Sequence, residues 1–193
     1  MISAIILAAG LSKRMSLGNK LLLKKNNIPI INITINKIKA SKVNEIILVL
    51  GNDSQLIHEN LDVKNIKIIV NKNFKEGISS SIKTGIKNVN FKSKGALICL
   101  GDMPLIRTST YNEIIQSFFV EKKNIIPFYK NKRGNPIIFT KSYYKNLMEI
   151  NGDEGAKKFI KEYPNDFTKI SLSDEGVLKD IADKNQYYGF TKK

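Results

Sequence analysis

The stretch Ile5-Ile6-Leu7-Ala8-Ala9-Gly10-Leu11-Ser12-Lys13-Arg14-Met15, followed by Lys20-Leu21-Leu22, decides the fold. An apolar run with no polar face reads as a strand buried on both sides, as in a parallel sheet. It ends in small residues and a glycine, then meets a serine and cations. Small side chains let backbone N–H groups approach a ligand closely, and an array of such groups forms an anion-binding concavity. Arg14 and Lys20 supply neutralising charge. The reading is a phosphate-holding loop after the first strand of an α/β nucleotide-binding domain. It is not a P-loop, since GxxxxGK[ST] is absent, nor the GxGxxG dinucleotide fingerprint.

Outward from this stretch, strand-like and helix-like segments alternate. Ser3–Ala8, Glu45–Leu50, Ile66–Val70, Gly95–Leu100, Asn124–Phe128, Pro136–Phe139 and Phe167–Leu172 read as strands. Ile28–Lys39, Ser54–Leu61, Gly77–Val89, Ser109–Glu121, Lys141–Glu149 and Glu154–Tyr163 read as helices. The order predicts right-handed crossovers and a three-layer, Rossmann-like α/β fold with a mostly parallel central sheet. No linker, repeat or low-complexity stretch divides the 193 residues, so residues 1–193 read as one domain, NTP-binding towards the N-terminus and acceptor-binding towards the C-terminus. The polar tail Lys184–Lys193 is expected to be loosely held.

A single cysteine, Cys99, excludes an internal disulfide framework. No stretch reads as a signal peptide or reaches the ~20 apolar residues of a bilayer span, so the expectation is a cytoplasmic protein without a membrane partner. The net charge of +15 favours anionic partners, but the lysines are scattered rather than striped, and no zinc finger, RRM signature or basic heptad helix points to a specific nucleic acid. Arginine is scarce: only Arg14, Arg107 and Arg133 occur, each beside a motif. His58, the only histidine, has no triad or metal-ligand partners in the pattern and reads as a surface residue; Cys99 reads as core.

Five further motifs carry polar chemistry. Leu100-Gly101-Asp102-Met103-Pro104-Leu105 ends a buried strand, where α/β sheets bind ligands, and Asp102 is a hard oxygen ligand suited to Mg²⁺. In Gly77-Ile78-Ser79-Ser80-Ser81-Ile82, hydroxyls and free N–H groups open a helix and suit ribose, base or phosphate, as well as plain N-capping. Arg133-Gly134-Asn135-Pro136-Ile137-Ile138-Phe139, Gly152-Asp153-Glu154-Gly155-Ala156-Lys157 and Gly176-Val177-Leu178-Lys179-Asp180-Ile181 read either as plain loop segments or as acids and an arginine that line an acceptor site.

Taken together, these motifs resemble the molybdenum cofactor cytidylyltransferases within the MobA-like nucleotidyltransferase superfamily, over almost the whole chain. LAAGLSKRM with NKLL is similar to the superfamily loop LAAGxSxRM followed by lysine, and GDMPL to its GDxPL metal motif. GISSSIKTGI, RGNPIIF, GDEGAKKFI and GVLKDI resemble the family's corresponding segments. The last three point to cytidylyl rather than guanylyl transfer, whose loop usually reads LAGG. The chain departs from the pattern at Ser16, where the loop usually continues with glycine, and after Asp180-Ile181, where Ala182-Asp183-Lys184 replaces Asp-Thr-Pro.

The resemblance implies transfer of CMP from CTP to the phosphate of molybdopterin cofactor, with Mg²⁺ as cofactor, release of pyrophosphate and an acceptor molybdoenzyme as a further partner. It implies nucleotide binding by Leu7, Ala8, Ala9, Gly10, Ser12, Arg14, Lys20, Ser79, Ser80 and Ser81, metal binding by Asp102 and Asp180 with Asp183 in reserve, and acceptor binding by Arg133, Asn135 and Asp153. It implies that Arg14, Lys20 and Asp102 carry catalysis. The alternatives are a related transferase using GTP or another phosphorylated acceptor, a nucleic-acid-binding module, and a non-catalytic nucleotide sensor.

Overall fold

A computed structural model describes residues 1–62, 64–153, 155 and 157–192. Strand β1 (Ile2–Ala8) is followed by the loop expected to hold phosphate and by a short 3₁₀ turn, Lys20–Leu22. A two-rung hairpin, β2 (Lys24–Lys25) with β3 (Ile28–Pro29), leads into helix α1 (Ile30–Lys39). The helix starts two residues later than its periodicity suggests, because Pro29 holds Ile28 extended and stands at the N-cap with ψ 142°. There follow β4 (Glu45–Leu50), α2 (Ser54–Glu59), β5 (Lys67–Val70), α3 (Ile78–Lys87), β6 (Gly95–Leu100) and α4 (Thr108–Glu121). The chain continues with β7 (Asn124–Tyr129), β8 (Lys132–Arg133), β9 (Ile137–Thr140), α5 (Tyr144–Glu149), α6 (Lys157–Glu162), β10 (Phe167–Ser171) and α7 (Lys184–Thr191). The predicted start of α6 at Glu154 lies outside the described residues, as does Ala156.

The main sheet runs β10-β7-β9-β6-β1-β4-β5, with β8 paired to β7. β1 pairs in parallel with both β4 and β6, and β4 with β5. β9 is antiparallel to β6 and to β7. The expected α/β architecture with a mostly parallel sheet is therefore present. Successive residues of each strand feed opposite cores. Ile6, Leu48 and Cys99 meet Ile31 and Ile35 of α1 and Tyr111 and Ile115 of α4 on one face. Ile5, Val49 and Ile98 meet Ile82 and Ile86 of α3 and Leu147 of α5 on the other.

The chain leaves β1 for β4 on one side and returns to β6 on the other, so the strand order reverses at β1. That switch point opens a crevice beyond the carboxyl ends of β1 and β6, where open α/β sheets take ligands. Because β9 runs the opposite way, its amino end reaches the same edge and brings Arg133 and Asn135 with it.

The tail reads differently from its polar composition. Residues 184–191 form α7, closed at its start by a capping box in which Asp183 accepts from the Gln186 N–H and the Gln186 side chain reaches back to the cap. Phe190 is buried in a third cluster with Met15, Ile30 and Ile181, and the Tyr187 hydroxyl donates to Lys24 O at 2.8 Å. Two aromatic anchors three residues apart, Tyr187 and Phe190, are too few to stand out in a ten-residue window.

Asp174 fixes the segment that follows β10. Its carboxylate is 7% exposed and accepts from Thr110 Oγ1 at 2.6 Å, Arg107 N at 2.9 Å and Gly176 N at 2.9 Å. Burial alone would raise its pKa, but these bonds and the Arg107 guanidinium outweigh burial and hold it below the ordinary value. Arg107 is thus structural, joining α4 to this segment. Asp174→Ala is expected to cost about 2–3 kcal/mol in denaturant unfolding, because three donors lose a charged acceptor. A group with a depressed native pKa adds stability above its unfolded pKa and loses it as pH falls through the native one. The wild type should therefore lose stability below about pH 4 more steeply than Asp174→Ala.

Candidate functional site

Two adjoining cavities lie at the switch point. The larger, about 440 Å³, is walled by the loop from Leu7 to Arg14, by Lys20, by Phe74, Lys75, Gly77, Ile78 and Ser81, and by Leu100, Asp102, Asp153 and Asp180. The smaller, about 250 Å³, has an apolar floor of Ile82, Ile98, Ile137 and Phe139, and carries Arg133 and Asn135. Leu7, Ile78, Leu100 and Asp153 belong to both.

The loop after β1 is shaped by two left-handed residues. Ser12 has φ 51° and Gly18 φ 96°; Ser12 O accepts from Met15 N at 2.9 Å, which turns the loop and buries Met15 in the third cluster. Arg14 is left exposed over the cavity. Ser16 has no positive φ; the conformation that favours glycine falls at Gly18 instead. The Ser12 hydroxyl accepts from Lys20 N at 3.3 Å. The Asn19 side chain caps the 3₁₀ turn by accepting from Leu21 N at 3.0 Å.

Lys20 and Asp102, which lie 82 residues apart, form an ion pair across the cavity. Their side chains are 17% and 12% exposed. Asp102 sits just past β6 because Gly101 lets the backbone close against β1. Gly101 N donates to Leu7 O at 3.0 Å, and a Cβ there would stand 2.9 Å from Ile31 Cδ1. Lys37 braces the following turn through Pro104 O at 2.6 Å, and burial pulls its ammonium below the ordinary range. Asp180 reaches the same cavity, held by Ile181 N donating to Asp102 O at 2.8 Å and by the packing of Ile181 against Met15 and Phe190. Asp183 is taken up as the cap of α7 and does not line the cavity.

The serines divide. Asn71 Oδ1 accepts from Asn73 N at 2.9 Å, which turns its Nδ2 towards Ser80 Oγ at 2.8 Å and Ser81 Oγ at 3.0 Å. Ser80 passes its own proton to Gly77 O at 2.8 Å. Ser81 alone of the three lines the cavity. It accepts from Asn71, and its hydroxyl proton has no acceptor among the described residues. Ser79 and Ser80 are buried away from the cavity. Asp153 caps α3 by accepting from Ile78 N at 3.1 Å. That fit needs a glycine at 77, where φ is 95° and a Cβ would stand 2.6 Å from the Gly152 carbonyl carbon.

In the smaller cavity, Arg133 is half-buried and has no carboxylate partner among the described residues; burial lowers its pKa from the ordinary guanidinium value. Lys13, Lys75 and Phe74 also line the larger cavity. They lie in or beside the quoted motifs but carry no pattern of their own. Cys99 is buried among apolar residues and its thiol is pushed up by burial, while His58 is exposed, both as expected. Among the described residues no three His, Cys, Asp or Glu side chains group into a metal cluster, and no helix is long and apolar enough to cross a membrane.

Residues 4–167 match the family described as the MobA-like NTP transferase domain. The chain is 23% identical over 194 residues to a nicotine blue oxidoreductase of Paenarthrobacter nicotinovorans, covering 97% of this chain and 95% of that one. It is 30% identical over 148 residues to a probable molybdenum cofactor guanylyltransferase of Thermococcus sibiricus, covering 76% and 70%. Its fold is that of Rv0371c from Mycobacterium tuberculosis, at TM-score 0.90 and 21% identity over 100% of this chain and 97% of that one. The same protein has also been solved with manganese, at TM-score 0.85 and 20% identity over 99% and 98%. The chain belongs to the MobA-like NTP transferase family.

Proposed function

We propose that this member of the family transfers CMP from CTP to the phosphate of molybdopterin cofactor, releasing pyrophosphate. The observation that carries the reading is the meeting of Lys20 and Asp102 from the loops after β1 and β6, with Arg14 and Asp180 on the same wall. The attacking oxygen belongs to a phosphate already ionised at neutral pH, so no strong general base is required. The work is to position two polyanions and to stabilise charge at the α-phosphate and the leaving pyrophosphate.

In this reading Lys20 and Arg14 hold the β- and γ-phosphates, and the backbone of Ala8, Ala9 and Gly10 cradles the nucleotide. The free proton of Ser81 is offered to an acceptor atom of the nucleoside. What supports the pyrimidine is the resemblance at Ala9, where guanylyl loops usually carry glycine; the Ala9 methyl itself stands against Gly51, where a Cβ would be 2.7 Å away. Arg133 and Asn135, beside an apolar floor, suit the acceptor. Asp102 and Asp180 fit a divalent cation, since Mg²⁺ is commonly held by one or two carboxylates plus substrate phosphates. Such an ion supplies charge neutralisation and a template for in-line displacement. Similarity to a guanylyltransferase supports transfer to a molybdenum cofactor, and the full-length likeness to an oxidoreductase defines the competing reading.

Incubation with each NTP, Mg²⁺ and molybdopterin acceptor is expected to release pyrophosphate with CTP and only when acceptor is present. Release with GTP instead would reassign the base. No release with any NTP, together with turnover of a redox substrate, would favour the oxidoreductase reading. Asp102→Ala should lower the rate roughly 10³-fold with an unchanged circular dichroism spectrum, and chelation of divalent ions should abolish release.

The ion pair sets a second expectation. Lys20 occupies a carboxylate oxygen that a metal ligand must free. Lys20→Gln should therefore raise the affinity of the nucleotide-free chain for Mn²⁺, read by calorimetry, while weakening CTP binding. Unchanged Mn²⁺ affinity would count against Asp102 as a metal ligand.

A further inference from the structure

We infer that Asp53, at the end of the loop after β4, is a positioning residue for Lys20. Asp53 stands at the N-cap of α2, the place where an aspartate ordinarily accepts from its own helix. Here it makes no such bond, and its backbone is left-handed, with φ 53° and ψ 30°. That conformation is costly for a residue with a side chain and persists where the surroundings hold it. What it achieves is reach. Asp53 Oδ2 accepts from Asn19 Nδ2 at 3.0 Å and from Asn52 Nδ2 at 2.7 Å.

Asn19 is the last residue of the phosphate loop before the turn that carries Lys20. Its other side-chain atom, Oδ1, caps that turn at Leu21 N. Asp53 therefore fixes the amide plane of Asn19, with Nδ2 outward and Oδ1 on the turn. The neighbouring Asn52 N donates to Ala9 O at 3.4 Å, at the other end of the same loop. The β4 loop thus holds both ends of the phosphate loop, while the stretch from Leu11 to Gly18 stays mostly exposed between them. Lys20 gains a fixed base from which its ammonium can serve Asp102 or a phosphate.

The inference rests on the proposed phosphate role of Lys20, and the experiment separates the two. Magnesium tripolyphosphate and CTP are titrated into the wild type, Lys20→Ala, Asp53→Gly, Asn19→Asp and the double variant Asn19→Asp/Asp53→Asn, with a thermal melt of each. Lys20→Ala should weaken both ligands; if it does not, the phosphate role of Lys20 fails and the inference loses its premise. Asp53→Gly suits the left-handed backbone, so its melting temperature should match or exceed wild type while affinity falls about tenfold. Asn19→Asp keeps the cap on Leu21 N but sets two carboxylates face to face, and should weaken binding likewise. The double variant restores a donor opposite an acceptor and should recover most of the affinity. Weakening by Lys20→Ala with wild-type affinity in Asp53→Gly would overturn the inference, as would a double variant no better than Asn19→Asp.

Discussion

The structure depends on one constraint: β1 is paired on both sides, in parallel, with β4 and with β6. Every one of its residues is buried, so a slip of one position would send the side chains fitted to one core (Ile2, Ala4, Ile6, Ala8) into the other, which receives Ile5 and Leu7. This pairing fixes the carboxyl ends of three strands at one edge. The positions of the loop after β1, of Asn52 and Asp53, and of Asp102 are consequences of where those strands stop. The antiparallel β9 adds Arg133 and Asn135 to that edge, because reversing a strand exchanges the ends it presents.

The parts of the site legible in the sequence are those in which the local segment itself does the work. Leu7 to Arg14 and Leu100 to Asp102 are strand ends followed by the residues they deliver, so a motif and its position coincide. Asp53, Asn71 and Asp174 carry no such signal. Each is an ordinary turn or cap residue by type, and its role arises from pairing with a distant segment: Asn19 for Asp53, and Thr110 and Arg107 for Asp174. Arg107 shows the converse. Its rarity in a lysine-rich chain marks it equally with Arg14 and Arg133, yet it binds Asp174 and Ser173 away from both cavities. Scarcity picks out a guanidinium used for its fork, but not whether the fork faces a ligand or the fold.

The serine run divides for a related reason. Three adjacent hydroxyls on a helix point in different directions, and only the turn geometry decides which reaches a cavity. The amide of Asn71 then decides what the chosen one can do. With its oxygen occupied by Asn73 N, it presents N–H to Ser80 and Ser81. Both must accept, and the remaining proton of Ser81 is left as a donor. In the proposed reading, the polarity of the contact that Ser81 offers a nucleoside is thus set two hydrogen bonds away from it, by the backbone N–H of Asn73.

The charge of the chain and the charge of the site act at different ranges. A net charge of +15 draws any polyanion towards the surface and falls off over the ~10 Å screening length of moderate salt. It cannot distinguish CTP from RNA. Inside the larger cavity the balance is much closer, with Lys13, Arg14, Lys20 and Lys75 facing Asp102, Asp153 and Asp180. A bare excess of cations there would hold triphosphate and pyrophosphate alike and resist product release. In the proposed reading, carboxylates set among the cations favour a ligand that carries both signs: phosphate oxygens for the ammonium and guanidinium groups, and a divalent cation for the carboxylates. Selection would then rest on the spacing of opposite charges, which is why the contacts that hold Lys20, Asp102 and Asp180 in place matter as much as the charges themselves.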